Sequence, residues 1–88
     1  MSERKTSLMG KISLMGLSCN LYKNNENGRW ILGTRLCDRE LFNKYTHQLF
    51  DDDLLEFWQT EKSVLVETRF TNLKHLLAKL RKPKPIEC

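Results

Sequence analysis

The chain has 88 residues, of which 40% are hydrophobic and 30% are charged, and its formal net charge at pH 7 is +4. This length suffices for one small domain, and the composition is typical of a folded protein rather than a disordered one. No apolar run approaches the roughly 20 residues that a membrane-spanning helix needs. Polar residues and glycines interrupt the N-terminal apolar residues, so we expect neither a signal peptide nor contact with a membrane.

The cysteines bear on the compartment and on metal binding. Cys19, Cys37 and Cys88 are odd in number and widely spaced, which argues against a secreted disulfide framework and for a reducing compartment, cytoplasmic or nuclear. Together with His47 and His75 they show none of the close spacings of zinc sites. We therefore expect an intracellular protein without a metal or another cofactor.

Charge is distributed in three blocks. Residues 1–37 contain six basic and two acidic residues, residues 38–62 contain three and seven, and residues 63–88 contain six and two. The net charges are thus +4, −4 and +4. Basic ends around an acidic middle permit attraction to nucleic acid without requiring it.

The first half of the chain predicts a mobile segment over residues 1–11 and then a β-hairpin. Residues 12–23 are rich in apolar side chains and form the first predicted strand, residues 24–28 (NNENG) form a turn, and residues 29–37 form the returning strand. A two-residue turn at Asn27-Gly28 would place Leu21 opposite Thr34. The resulting alternation gathers apolar residues on one face, namely Met15, Leu17, Cys19, Leu21, Trp30, Leu32 and Leu36.

The acidic middle predicts two helices. Asp38 can cap a helix that ends near Phe50, with an apolar stripe of Leu41, Phe42, Tyr45 and Leu49. The helix should break at residues 51–53, because the apolar residues beyond them fall far from that stripe. Asp53 and Glu56 have the spacing of a capping box, which predicts a second short helix running to about Glu61.

The last block predicts a third strand over residues 63–70 and a final amphipathic helix. Val64, Val66 and Phe70 should face the core, while Leu65, Glu67 and Arg69 face away. Thr71 can cap the helix, Pro83 ends it, and residues 83–88 form a mobile tail. Four leucines spaced along one helical face, Leu73, Leu76, Leu77 and Leu80, should pack on the sheet.

These elements predict a two-layer α+β domain over residues 12–82. A right-handed crossover would bring the third strand beside the first, giving a three-stranded sheet of order 2-1-3 with three helices on one face. The uncovered face would carry Ile12, Leu14, Ile31 and Leu65 beside its arginines. Apolar residues there, and exposed sheet edges, predict self-association as a homodimer.

Basic residues on two surfaces make nucleic acid the first candidate partner of a non-enzymatic binding protein. Tyr22 on the uncovered sheet face is available to stack on a base. The predicted contact set comprises this tyrosine, the arginines of the same face and the basic back and tail of the last helix, namely Tyr22, Arg29, Arg35, Arg69, Lys74, Lys79, Arg81, Lys82 and Lys84.

The alternative is a small protein-binding module or inhibitor, for example a viral or phage accessory protein that blocks a host factor. Residues 50–58 (FDDDLLEFW) mix acids with large apolar residues, as do helical peptides that dock into hydrophobic grooves. The contact set of this alternative is Phe50, Asp52, Asp53, Leu54, Phe57 and Trp58. An enzyme is the least favoured class, because no nucleophile, general base or metal set is visible.

Overall fold

A computed structural model describes the backbone of residues 5–81 and the side chains of residues 5–80. The strands are β1 (Thr6–Leu14), β2 (Leu17–Asn24), β3 (Trp30–Arg35), β4 (Leu54–Gln59) and β5 (Ser63–Thr68). The helices are α1 (Arg39–Phe50) and α2 (Leu73–Arg81). Short 3₁₀ turns at Leu36–Asp38 and Asp51–Asp53 flank α1. β1 begins within the segment 1–11 that the sequence led us to expect as mobile.

The strands form one sheet in the order β1-β2-β3-β5-β4, and every neighbouring pair is antiparallel. The described helices pack on one face of this sheet, where α1 contributes Phe42, Leu49 and Phe50 to the core and α2 contributes Leu76. The prediction of a three-stranded sheet of order 2-1-3 with three helices is therefore wrong. The α+β class and the two layers remain, and two misassigned segments account for the difference.

The first misassigned segment is residues 12–23, which form a hairpin rather than one strand. Met15 and Gly16 have φ angles of 52° and 90°, and Leu14 pairs with Leu17 on either side of them. Two successive residues at positive φ make the tight turn that matches the twist of a hairpin. The turn puts Ile12 and Leu14 on the helix-covered face, so the prediction that they lie on the uncovered face is wrong.

The second misassigned segment is residues 53–61, where β4 replaces the predicted helix. Asp51 has a φ of 35°, which ends α1, and the break predicted at residues 51–53 is confirmed as a 3₁₀ turn. Beyond it, Phe57 pairs with Val66 and Trp58 with Leu65. Hydrogen bonding to β5 and the strand preference of large aromatic residues outweigh the capping-box spacing of Asp53 and Glu56.

The hairpin between β2 and β3 has the predicted faces but a different register. Leu21 lies opposite Leu32 rather than Thr34, a shift of two residues. Asn24 closes the loop: its carbonyl accepts the Gly28 N–H at 2.7 Å and its side-chain Oδ1 accepts the Glu26 N–H at 2.8 Å. These bonds favour a four-residue loop over the two-residue turn. A two-residue shift preserves side-chain parity, so Cys19, Leu21, Trp30 and Leu32 still reach the core.

The final helix packs through three of its four predicted leucines, without Leu77, and its cap differs from the predicted one. Leu76 is fully buried, and Leu73 and Leu80 pack against the core cluster. Asn72, rather than Thr71, caps α2, because its Oδ1 accepts the Lys74 N–H at 2.8 Å. Within residues 5–81, no helix has the length and apolar character needed to cross a membrane.

The packing of α1 gives a test by two neighbouring residues. Phe42 is fully buried and Leu41 is 44% exposed. Phe42→Ala should lower the free energy of unfolding by about 3–5 kcal/mol, because a large side chain leaves a cavity in the core. Leu41→Ala should cost less than about 1 kcal/mol, since a surface position loses little. Urea denaturation measures both, and equal losses would contradict the orientation of α1.

Candidate functional site

The sheet face opposite the helices carries aromatic, apolar and charged side chains. We call it the open face, and the strand registers assign alternate residues of all five strands to it. No helix of the described chain packs on this side. Its central residues are Leu8 and Lys11 of β1, Asn20 and Tyr22 of β2, Ile31, Gly33 and Arg35 of β3, Leu65 and Glu67 of β5, and Glu56 and Trp58 of β4.

A continuous apolar band crosses this face. A Cβ atom on Gly33 would lie 3.1 Å from Cε1 of Tyr22 and 3.2 Å from Cδ2 of Leu65, so both side chains close over the glycine. Leu65 in turn pairs with Trp58 across β5 and β4. Ile31 and Leu65 are buried although they face away from the helices, while Tyr22 and Trp58 stay partly exposed. The band therefore has a partly exposed aromatic ring at each of its two ends, Tyr22 on β2 and Trp58 on β4.

Basic residues lie beyond this band at both ends of the strands. Arg29 and Arg69 continue the alternation of β3 and β5 past Ile31 and Glu67, and Arg35 continues β3 past Gly33. The Arg35 side chain is 78% exposed, and its Nη2 lies 3.2 Å from Oδ2 of Asp38. The hydrogen bond to Asp38 is the largest of the causes that raise the pKa of Arg35, whose guanidinium is charged at neutral pH in any case. Lys11 is exposed near the same end.

Two carboxylates interrupt the positive charge. Glu56 pairs with Glu67 across β4 and β5 in the row that contains Ile31 and Tyr22. Glu67 is only 5% exposed, and its Oε2 accepts a hydrogen bond from Nδ2 of Asn27 at 3.1 Å. These two carboxylates lie together on the β5–β4 side, and the carboxylate of Asp38 lies beside Arg35.

The structure separates the predicted basic residues into two groups. Tyr22, Arg29, Arg35 and Arg69 belong to the open face, whereas Lys74 and Lys79 lie on α2 in the other layer. Nζ of Lys79 lies 3.6 Å from Oδ2 of Asp53. The Arg81 side chain, Lys82, Lys84 and the tail 83–88 lie outside the described residues. No single surface of residues 5–80 contains both groups.

The acidic-aromatic segment also divides. Phe50 is in the core, with its ring edge-on to Phe70 at 6.0 Å, and Leu54 and Phe57 pack on the helix side of the sheet. Asp52 is exposed, Asp53 contacts Lys79, and Trp58 faces the open side. A docking helix over residues 50–58 is excluded by this geometry, because the segment is a 3₁₀ turn followed by a strand.

Sequence reasoning missed two contributors to the open face. Lys11 was assigned to the mobile segment, and Trp58 was assigned to the predicted second helix and to the contact set of the protein-binding alternative. Adjacent Phe57 and Trp58, with Leu54 before them, carry the strand preference that could have revealed β4 and hence a second aromatic residue beside Tyr22.

A groove of about 290 Å³ lies between α1 and the edge strand β4. The ring of His47 stacks on that of Phe57 at 5.2 Å, and Oδ1 of Asn43 is buried without a hydrogen-bond partner among the described residues. The other lining residues are Trp58, Gln59 and Val64. This groove lies beside β4, the edge strand of the sheet that the described residues form.

Of the two described cysteines, the buried Cys19 offers little reactivity at neutral pH. Cys19 is buried, and this burial raises the pKa of its thiol to about 12, so the nucleophilic thiolate is scarce. Cys37 is exposed, and both thiols are free. Among residues 5–81, no three histidine, cysteine or acidic side chains are grouped so as to hold a metal ion.

Comparison of the chain with protein-family models, with curated proteins and with solved structures finds no match.

Proposed function

We propose that the protein binds single-stranded nucleic acid through the open face. The observation that carries this proposal is the apolar band of Tyr22, Leu65 and Trp58, with partly exposed aromatic rings and with arginines beyond both of its sides. Proteins that bind single strands combine aromatic surfaces on which bases stack with basic residues that follow the phosphates. The open face offers both.

Stacking assigns different roles to the aromatic residues. Tyr22 rests on Gly33, whose lack of a side chain leaves room for the ring, and Trp58 stands beside Leu65. Each ring is held by its neighbours, so little conformational entropy is lost when a base stacks on it. A flat sheet surface suits unpaired bases, which expose their faces, better than the grooves of a duplex.

The arginines provide phosphate contacts on either side of the band. Arg29 and Arg35 are six positions apart along an extended chain, a distance of about 20 Å. A nucleic-acid strand that crosses the band between these arginines contacts positive charge on both sides of the band. The carboxylate of Glu67 on β5 repels phosphate, which directs the backbone towards Arg35 and Lys11. The lysines of α2 lie in the opposite layer, so the proposal is confined to the sheet.

Substitution of the stacking residues tests the proposal. Tyr22→Leu and Trp58→Leu should each weaken binding of an eight-nucleotide oligothymidylate by about 1–3 kcal/mol, because leucine preserves apolar packing but cannot stack. Fluorescence anisotropy of the labelled oligonucleotide measures the affinity. Tyr45→Leu in α1 is the matched control, since Tyr45 is also partly buried but lies in the helical layer.

Salt dependence provides the second measurement in the same experiment. The affinity should fall as salt rises, with a slope of about −0.7 in log–log form for each phosphate contacted. Arg69→Gln should reduce this slope, whereas Lys44→Gln on α1 should not. An affinity that is insensitive to salt, or that Trp58→Leu leaves unchanged, would contradict the proposal.

A protein-binding module is the second candidate, and the groove beside β4 favours it. β4 is an edge strand of the described sheet, next to a groove whose lining includes Asn43, His47 and Phe57. An extended segment of a partner could add to this edge and place side chains in the groove. The same edge, or the apolar band, could join two copies of the chain in the homodimer that the sequence predicts.

A proline substitution separates this second candidate from the first. Thr60 donates its N–H to Ser63, so the alternation of the ladder directs the N–H of Gln59 away from β5 and towards a partner. Gln59→Pro should therefore abolish capture of a protein from nuclease-treated lysate and leave oligothymidylate affinity unchanged. Equal capture by both proteins, or no capture by the parent, would exclude strand addition at β4.

A further inference from the structure

The sheet opens between β2 and β3 at the end nearest α1. The β2–β3 ladder ends at Asn20 and Gly33, while β1 stays paired with β2 as far as Leu17, and β3 stays paired with β5 as far as Arg35. The register would continue with Cys19 opposite Thr34 and then Ser18 opposite Arg35. Instead, the chain turns after Arg35 into the 3₁₀ turn before α1 and draws away from β2. The paired strands β1 and β2 separate there from the group β3, β5 and β4.

The separation creates a cleft of about 550 Å³, within the range of small-ligand sites. Its lining includes Lys11, Ser18, Asn20, Thr34, Arg35 and Asp38. The hydroxyl of Thr34 donates to the carbonyl of Ser18 at 3.3 Å, which ties the two walls together at the base. The cleft is therefore an opening between two strands of the sheet, and its lining combines Leu17 with these polar and charged side chains.

Its donors suit a phosphate group. Lys11 lies on the β1 side and forms no ion pair with another described residue, and Arg35 lies on the β3 side. The bond to Asp38 uses one of five guanidinium N–H donors, so the others remain available. Trp30 and Leu36 donate their N–H groups to the β5 side, and by alternation the N–H of Arg35 points towards β2 and the cleft.

The cleft also adjoins the apolar band. Asn20 donates from Nδ2 to the hydroxyl of Tyr22 at 3.3 Å, and Asn20 is opposite Gly33, over which the Tyr22 ring lies. A base stacked on Tyr22 would thus place its sugar-phosphate near the mouth of the cleft. The acidic pair Glu56 and Glu67 lies on the far strands, away from this position.

We infer that the cleft between β2 and β3 binds one backbone phosphate of the single strand, held by Lys11, the Arg35 guanidinium and the Arg35 amide. This inference rests on the proposed nucleic-acid binding and adds the site that anchors the strand beside Tyr22. Asp38 orients the guanidinium through its hydrogen bond to Nη2. The exposed Arg35–Asp38 pair contributes little stability of its own.

The test uses the full chain and the octamer of thymidylate. The double variant Lys11→Gln/Arg35→Gln should weaken binding at 0.1 M salt by roughly tenfold or more, because charge-assisted hydrogen bonds to the phosphate are lost. It should also make the log–log salt slope shallower by about 0.7, the value for one phosphate of a single strand. The control is Lys44→Gln/Lys74→Gln, which makes the same charge change at exposed positions on α1 and α2.

The outcomes separate this inference from the proposed function. Equal affinities for the cleft and control variants, with Trp58→Leu still weakening binding, would overturn the phosphate site alone. Weakening by the cleft variant without any effect of Trp58→Leu or Tyr22→Leu would overturn the stacking surface instead. If none of these substitutions weakened binding, both proposals would be wrong. Urea denaturation of the two glutamine double variants should match that of the parent, since Lys11, Arg35, Lys44 and Lys74 are exposed.

Discussion

The alternation of side chains along β3 is the constraint on which the rest of the structure depends. Trp30, Leu32 and Thr34 point to the helices, and Ile31, Gly33 and Arg35 point to the open face. All of these except Arg35 are buried, so β3 is central in the sheet and is filled on both sides. Any one-residue slip of this strand would exchange the two faces and expose the core.

The two sides of β3 are filled by different means. Helices α1 and α2 cover one side with Phe42, Phe50 and Leu76. On the other side, the neighbouring strands supply the cover themselves, since Tyr22 and Leu65 close over Gly33 and Ile31 is fully buried. On this side Tyr22 and Trp58 stay partly exposed. Packing between neighbouring strands buries residues on both sides of β3 in a domain that is too small to form a third layer.

The sequence could predict which side chains of a strand face the helices and which face away from them. The faces of Cys19, Leu21, Trp30, Leu32, Val64 and Val66 are confirmed, because a two-residue register shift moves pairings without changing faces. The helix α1, its break after Phe50 and the leucine stripe of α2 are also confirmed, since their apolar spacing is long enough to be distinctive. Local signals were sufficient wherever the pattern extended over several turns.

Short segments were not predictable in the same way. The Met15-Gly16 turn puts a methionine at positive φ, which no composition rule favours, and residues 54–59 carry helix and strand signals together. Only pairing with β5, a contact between distant parts of the chain, decides the second case. The candidate site depended on that decision, because Trp58 reaches the open face only from a strand. Tyr22, Arg29, Arg35 and Arg69 were assigned to this face beforehand, whereas Lys11 and Trp58 were not.

The central claim is that the open face receives bases on its aromatic residues, and the two tryptophans of the chain allow a direct measurement. Trp30 is 5% exposed in the core and donates from Nε1 to the carbonyl of Thr71 at 3.3 Å, while Trp58 is on the open face. In a folded Trp30→Phe variant, saturating oligothymidylate should quench the fluorescence of Trp58 through stacking. In Trp58→Phe, the emission of Trp30 should be unaffected. Unchanged emission from Trp58 at saturation, or equal quenching of both tryptophans, would contradict the account.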